Sequence, residues 1–129
     1  MIEPTLALQG GIFAAIKNNT AAGGNVFDKV RPDVFPRIQI GSGQVVTDEP
    51  DCVEGAEVFF QVDVYSKGEG FLECKSITWE VKTLLHKQPL TVAEWTLIEV
   101  RLSDADYSRD DATGISRGRM TLRAYMEMI

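Results

Sequence analysis

The chain has 129 residues, of which 44% are hydrophobic and 25% charged, and its formal net charge is −6. The length predicts one domain spanning residues 1–129, with a composition ordinary for a soluble globular protein. The acidic balance argues against a protein that grips nucleic-acid phosphates, but it does not exclude a surface past which DNA slides.

The sequence shows no features typical of a membrane span or of export. No apolar run approaches the roughly 20 residues that span a bilayer. The first residues carry an acid and no basic segment, which argues against a signal peptide. We therefore expect no membrane partner, and a location in the cytoplasm or in an assembly built there.

The first predicted element is a helix over residues 4–18, in which apolar residues recur at every fourth position: Leu8, Ile12 and Ile16, with Phe13 beside them. Pro4 suits the first turn. Gly10 and Gly11 weaken the helix but leave space for another backbone to come close.

Next comes NVFDKVRPDVFPRIQIGSG, residues 25–43, which has the apolar content of a buried strand but contains two prolines, Pro32 and Pro36. Proline cannot donate to a strand ladder. We expect the strand to begin at Arg37, with Ile38 and Ile40 facing the core. The prolines either block unwanted strand addition at a sheet edge or simply meet the needs of the core.

Residues 47–57 hold five acids and no base, which predicts a long loop. Residues 56–66 then alternate as a strand, and residues 71–85 follow the helical period. Two further strands are predicted within residues 95–107 and 115–128, joined by a polar turn into a hairpin. On the first of these, Ile98, Val100 and Leu102 are expected on one face.

This order predicts an α+β fold, with a mixed or antiparallel sheet of four to five strands and two helices packed on one of its faces. The other face of the sheet is expected to stay polar. It would carry acids from residues 57–63 and arginines from residues 117–123.

No catalytic, cofactor or metal site is predicted. His86 is the only histidine, and Cys52 and Cys74 lack the spacing of a zinc site, so free thiols and an exposed helix-end histidine are expected. Residues 104–115 lack the Asp/Asn, Gly and Glu that a calcium loop needs at its fifth, sixth and twelfth positions. We therefore expect no enzyme activity and no cofactor.

The closing strand carries alternating arginines. In an acidic chain they are better explained as a surface row paired with acids on neighbouring strands than as a nucleic-acid stripe. If this face meets another subunit, the same side chains would give register and specificity. The candidate subunit-contact residues are Arg117, Arg119, Arg123 and Tyr125.

Four segments in order are similar to a known family: NVFDKVRPDVFPRIQIG, VDVYSKGEG, FLECKSITWEVKTLL and TGISRGRMTLRAYM. Together they resemble the tail terminator (tail completion) proteins of long-tailed phages, from about Leu6 to Met126. The shared features are a Pro-bounded strand start ending in Gly, a strand-Gly-helix unit and a basic closing strand. The acidic insert from Thr47 to Glu57 lies outside that pattern.

The resemblance implies a structural virion protein that forms a ring, typically a homo-hexamer, at the head-proximal end of the tail tube. Such a ring ends polymerisation of the tube protein and offers a docking face to the head connector, while DNA only passes through its lumen. Gene transfer agents carry similar rings, so the implied location is the tail neck of a virion or phage-like particle. A head-completion or neck adaptor, and a small-molecule-binding accessory domain, are the alternatives.

In such a ring the acidic loop has two possible roles. Facing the pore, six copies would form a negative collar that repels phosphates over roughly 8 Å, the Debye length at physiological salt. Facing outward, the same acids would pair with a basic partner surface. The residues concerned are Asp48, Glu49, Asp51 and Glu54.

Overall fold

A computed structural model describes residues 2–48, 55–68 and 70–129. Its elements, in chain order, are α1 Pro4–Ile16, β1 Val26–Phe27, β2 Arg37–Asp48, β3 Gly55–Lys67, α2 Leu72–Leu85, β4 Trp95–Asp110 and β5 Ile115–Met128.

The five strands form one sheet in the order β1-β2-β3-β5-β4. The short β1 pairs with β2 in parallel, and all other neighbours are antiparallel. The predicted α+β fold with a mixed sheet is therefore confirmed. So is the hairpin of the last two strands, which are β4 and β5.

Both helices cover the same face of the sheet. The stripe predicted on α1 is buried, since Leu8, Ile12 and Ile16 are inaccessible to solvent, while Phe13 at its margin is 37% exposed. Val81 of α2 and Val62 of β3 belong to the same buried cluster. The alternation of the strands and the two helical stripes thus meet in one core, as predicted.

Two glycines allow close approaches in this layer. A Cβ at Gly11 of α1 would lie 2.7 Å from the carbonyl oxygen of Thr91, so the absence of a side chain lets that backbone reach the helix. The expectation of a close backbone is thus met at Gly11 but not at Gly10, where a Cβ would have no atom of another segment within 4 Å. At Gly118 of β5, a Cβ would collide with the hydroxyl of Thr78, so α2 sits directly on this strand.

The segment from residue 25 to residue 43 is split between two strands. Val26 and Phe27 form the edge strand and pair with Ile38 and Gln39. β2 begins at Arg37, directly after Pro36, as predicted. Ile38 and Ile40 are buried in the core.

The strands are longer than their predicted spans. β2 continues to Asp48 and β3 starts at Gly55, and these two residues pair, so the predicted loop from Thr47 to Glu57 is wrong at both ends. β4 extends to Asp110, which leaves only residues 111–114 as the turn of the last hairpin. Exposed hairpin arms tolerate charged side chains on both faces, so polar composition did not mark where pairing stops.

The predicted position of Ile98 is also wrong. The pairing of β4 with β5 shifts register between Leu97 and Glu99. Such a bulge inserts one extra residue and reverses which side chains face the core. As a result Leu97 packs against the core, and Ile98 is 52% exposed.

A candidate interaction face on the sheet

The face of the sheet opposite the helices is built from rows of side chains that cross β2, β3, β5 and β4. Strand register defines two adjacent rows. The first row, here called the paired row, contains Gln39, Asp63, Arg119 and Asp106. The second, here called the arginine row, contains Arg37, Tyr65, Arg117 and Ser108.

The paired row holds a bidentate ion pair. Arg119 donates from Nε to Asp63 Oδ1 at 2.9 Å and from Nη2 to Oδ2 at 3.1 Å. Asp63 is only 5% exposed, so its charge is compensated inside the protein. The hydrogen bonds to Asp63 are the main reason that the pKa of Arg119 is raised, against the opposing effect of burial.

Towards the other end of the same face, Arg123 makes a second ion pair. Its Nε and Nη2 both donate to Glu57 Oε2, at 3.1 Å and 2.6 Å. The Arg123 side chain is 63% exposed, so this pair lies in a solvated setting. The expectation that arginines of the closing strand pair with acids of the neighbouring strand is confirmed for Arg119 and Arg123.

The arginine row is different, because its guanidinium groups have no acidic partner among the described residues. Arg37 is 6% exposed, and its Nη1 donates to the carbonyl oxygen of Val34 at 3.1 Å. Its guanidinium carbon lies 4.2 Å from the centroid of the Tyr65 ring and 4.8 Å from that of Phe35. The Nε atoms of Arg37 and Arg117 are both buried without a hydrogen-bond partner in the described part of the chain.

The electrostatic state of Arg37 follows from this setting. Burial lowers its pKa, and the nearby Tyr65 acts in the opposite direction. Aromatic faces attract a cation but do not neutralise it. The sequence had placed Arg37 on the polar face of its strand, but it gave no sign that the side chain would be buried there, since that depends on Phe35 and on the register with Tyr65.

The four predicted contact residues all lie on this face of β5. Arg119 and Arg123 are engaged within the chain, Arg117 belongs to the arginine row, and Tyr125 lies opposite Glu57 in the strand register. For the predicted acidic loop, the backbone of Asp48 ends β2. Glu49, Asp51 and Glu54 lie outside the described residues.

His86 has a structural role that the sequence reading missed. It follows α2 and is half-buried, and its Nδ1 accepts a hydrogen bond from the Leu102 N–H at 3.1 Å. The next residue, Lys87, donates its N–H to the carbonyl of Val100 at 2.9 Å. Both bonds satisfy backbone groups of β4, which is an edge strand of the sheet, so the turn after α2 covers part of that edge.

The protonation of His86 is coupled to this contact. Burial lowers its pKa, and the cations of Lys82, Lys87 and Arg101 lower it further. A neutral imidazole can accept through Nδ1, whereas a protonated one has no acceptor left. The geometry is that of a neutral histidine holding a strand edge.

Other chemistry finds little support in the described ranges. Within them, no three metal-ligating side chains converge, and no helix is long and apolar enough to cross a membrane. The Cys74 thiol is free and fully buried, donates to the carbonyl of Val64, and has its pKa raised by burial. This matches the free thiol expected at Cys74, while Cys52 lies outside the described residues.

The described elements form a small α+β domain with both helices on one face of the sheet and a polar face opposite. Comparison with known proteins is consistent with this class. Residues 11–127 match the family described as "Tail completion protein gp17", and the chain belongs to that family. The predicted membership is thereby confirmed, and it groups the chain with tail proteins.

A solved structure supports the fold independently. A chain in "Virion of native gene transfer agent (GTA) particle" superposes with a TM-score of 0.84, at 20% sequence identity, over 98% of this chain and 99% of that one. At this identity the likeness concerns the fold. No match was found among curated proteins.

Proposed function

We propose that this protein is a non-enzymatic structural component of a tailed phage or phage-like particle. In this proposal it acts as a single domain of residues 1–129 that forms a ring at the head-proximal end of the tail tube. The ring stops polymerisation of the tube protein and presents a docking face to the head connector. The observation that carries this proposal is the family match over residues 11–127.

The partners would be further copies of the chain, most simply six, together with the tube protein and the head connector. The likeness to a chain from a gene transfer agent virion supports a place within a particle. Exposed apolar side chains on the outer sides of both helices add possible contact area, among them Leu6 and Phe13 on α1 and Leu72 and Trp79 on α2.

The main alternative is a head-completion or neck adaptor, which would occupy an adjacent ring in the same particle. A small-molecule-binding domain would need a deep apolar pocket with a few converging polar groups. The clefts found among the described residues are open to solvent. One of about 280 Å³ is lined by charged side chains such as Glu57, Glu99, Arg101 and Arg123, and one of about 440 Å³ is lined by residues of β2, β3 and β5. Neither favours that alternative.

Electron microscopy of particles made without this protein separates the two particle roles. A terminator predicts overlong tubes without heads, because nothing stops the addition of tube protein. An adaptor predicts tails of normal length and separate heads. Native mass spectrometry of the ring from intact tails measures the stoichiometry, and a count other than six would refute the hexamer.

The acidic segment between β2 and β3 in the sequence is proposed to face the pore. The variant D48N/E49Q/D51N/E54Q removes its charge and keeps side-chain size. Normal tails with joined heads but impaired DNA delivery would support a negative collar. Overlong headless tails would instead identify the segment as a contact with the tube or the head.

A further inference from the structure

We propose that the arginine row, centred on Arg37, Tyr65 and Arg117, binds a carboxylate side chain of a partner protein. The inference rests on the proposed function only in taking that partner to be another protein of the particle. It adds the chemistry of the contact: an acidic side chain docking on the helix-free face of the sheet.

The first step concerns Arg37. A guanidinium that is more than nine-tenths buried loses most of its hydration, and such a charge is normally compensated by a carboxylate. Here it has one backbone carbonyl and two aromatic rings, and its Nε has no partner among the described residues. Its positive potential is therefore available to an anion that approaches over Tyr65.

The second step concerns Arg117. It lies directly opposite Tyr65 in the pairing of β3 with β5, as Arg37 does in the pairing of β2 with β3. Neighbouring strands are about 4.8 Å apart, so the two arginine backbones stand about 10 Å apart on either side of the tyrosine. Arg117 is half-buried and forms no ion pair within the described part of the chain, so it is the member of the row that an outside carboxylate can reach. Lys67, with its Nζ 5.8 Å from the Phe35 ring, adds a third cation.

The third step concerns the acids of the described residues, none of which pairs with Arg37 or Arg117. Asp63, one row away, already accepts hydrogen bonds from Nε and Nη2 of Arg119. Asp106 closes the paired row on β4, but it is exposed and forms no ion pair with its neighbour Arg119. The chain has more acids than bases, yet the described residues leave these two guanidinium groups without a carboxylate.

The fourth step favours a carboxylate over a nucleic-acid phosphate. DNA presents a continuous line of charge, and a strand crossing the arginine row would also pass Asp106 and the acids further along the face, such as Glu57 and Glu99. A single carboxylate needs only one row. Its planar pair of oxygens also matches the guanidinium fork in a bidentate contact.

The test is an NMR titration of the full chain that follows the Nε–H signals of the arginines and the ring signals of Tyr65. The probes are a short oligoglutamate peptide, an oligoglutamine peptide of equal length and a single-stranded oligonucleotide. We expect oligoglutamate to shift the Arg117 and Tyr65 signals and oligoglutamine to leave them unchanged. Arg117→Gln should weaken oligoglutamate binding by about tenfold, the scale of one charge-assisted contact.

Arg123→Gln is the matched control, because Arg123 lies on the same strand and face but is paired with Glu57. It removes the same charge and should change binding by less than about twofold. If Arg117→Gln fails to fold, Arg117→Lys keeps the charge without the guanidinium fork and should still weaken binding severalfold.

Three outcomes would overturn the inference: no response of Arg117 to oligoglutamate, an equal loss in Arg117→Gln and Arg123→Gln, or preferential binding of the oligonucleotide. None of these bears on the role in the tail, which is measured on whole particles. Conversely, a site that binds oligoglutamate would stand even if particles lacking the protein showed normal tails.

Discussion

The paired row and the arginine row lie next to each other on the same strands, but they differ in whether their buried charges have a partner of opposite charge. In the paired row, Asp63 is buried and its charge is met twice by Arg119. In the arginine row, Arg37 is equally buried, and neither it nor Arg117 has an acid within the described residues. The buried charge of the first row is therefore paired within the chain, whereas the two guanidinium groups of the second row have no acidic partner among the described residues.

Strand register is the cause of this difference. A shift of two residues along β3 replaces Asp63 by Tyr65 between the flanking strands. Cross-strand neighbours are the unit of sheet stabilisation, so one such replacement decides whether a guanidinium is paired or stacked. Buried ion pairs add little net stability but are costly to break, whereas an unpaired buried cation has already lost that compensation.

The largest expected effect comes from breaking the paired row. Arg119→Ala leaves the buried Asp63 carboxylate without its ion-pair partner, although the Tyr65 hydroxyl still lies 3.5 Å from Oδ2. We expect the free energy of unfolding to fall by about 3 kcal/mol. This is the low end of the usual range, because the Arg119 side chain is 35% exposed. Urea denaturation at neutral pH measures it. A loss below that of an exposed ion pair would show that Asp63 finds another partner.

Removing the unpaired cation should cost much less. In Arg37→Met an apolar side chain replaces the one that carries the guanidinium. The substitution removes the hydrogen bond to Val34 and the stacking on two rings, but it also removes a buried charge. These effects oppose each other, and we expect a change within about 1 kcal/mol of the wild type. Denaturation beside Arg119→Ala is the measurement. Equal losses in the two variants would remove the distinction between the rows.

The contrast between the rows also shows what the sequence can and cannot predict. Periodicity located both helices and the core faces of the strands, because burial of Leu8, Ile12 and Val62 follows directly from spacing. It failed at Ile98, since a bulge depends on how two strands pair. It also failed to foresee the burial of Arg37, because burial of a side chain on the polar face requires knowing its cross-strand neighbours.

A third prediction concerns His86, where hydrogen bonding depends on pH. Its folded-state pKa is lowered, so the unfolded chain binds the proton more readily and stability falls with decreasing pH. The contribution is fully present above the ordinary pKa of about 6.5 and is lost as pH falls through the lowered folded value. Protonation removes the acceptor for the Leu102 N–H, a contact expected to be worth about 1 kcal/mol or less.

The comparison variant is His86→Gln, which keeps an amide acceptor but does not titrate. The unfolding free energy of the wild type, measured relative to that of the variant, should fall between about pH 7.5 and about pH 5, above the range where most carboxylates protonate. A difference that stays constant over this interval would mean that His86 does not hold the β4 edge through its neutral form.

The smallest effect is expected at the exposed ion pair of the same face. Arg123→Ala removes both bonds to Glu57, but the Arg123 side chain is 63% exposed, and water replaces the lost partner. Exposed pairs contribute about 0.2–1 kcal/mol, and raising the salt concentration should weaken the pair further. We therefore expect Arg123→Ala to destabilise by less than about 1 kcal/mol in low salt, with the loss shrinking in high salt. Arg119→Ala should keep most of its loss in high salt, because a desolvated pair is screened less. If salt reduced both losses to the same extent, burial of Asp63 would not be what separates the two pairs.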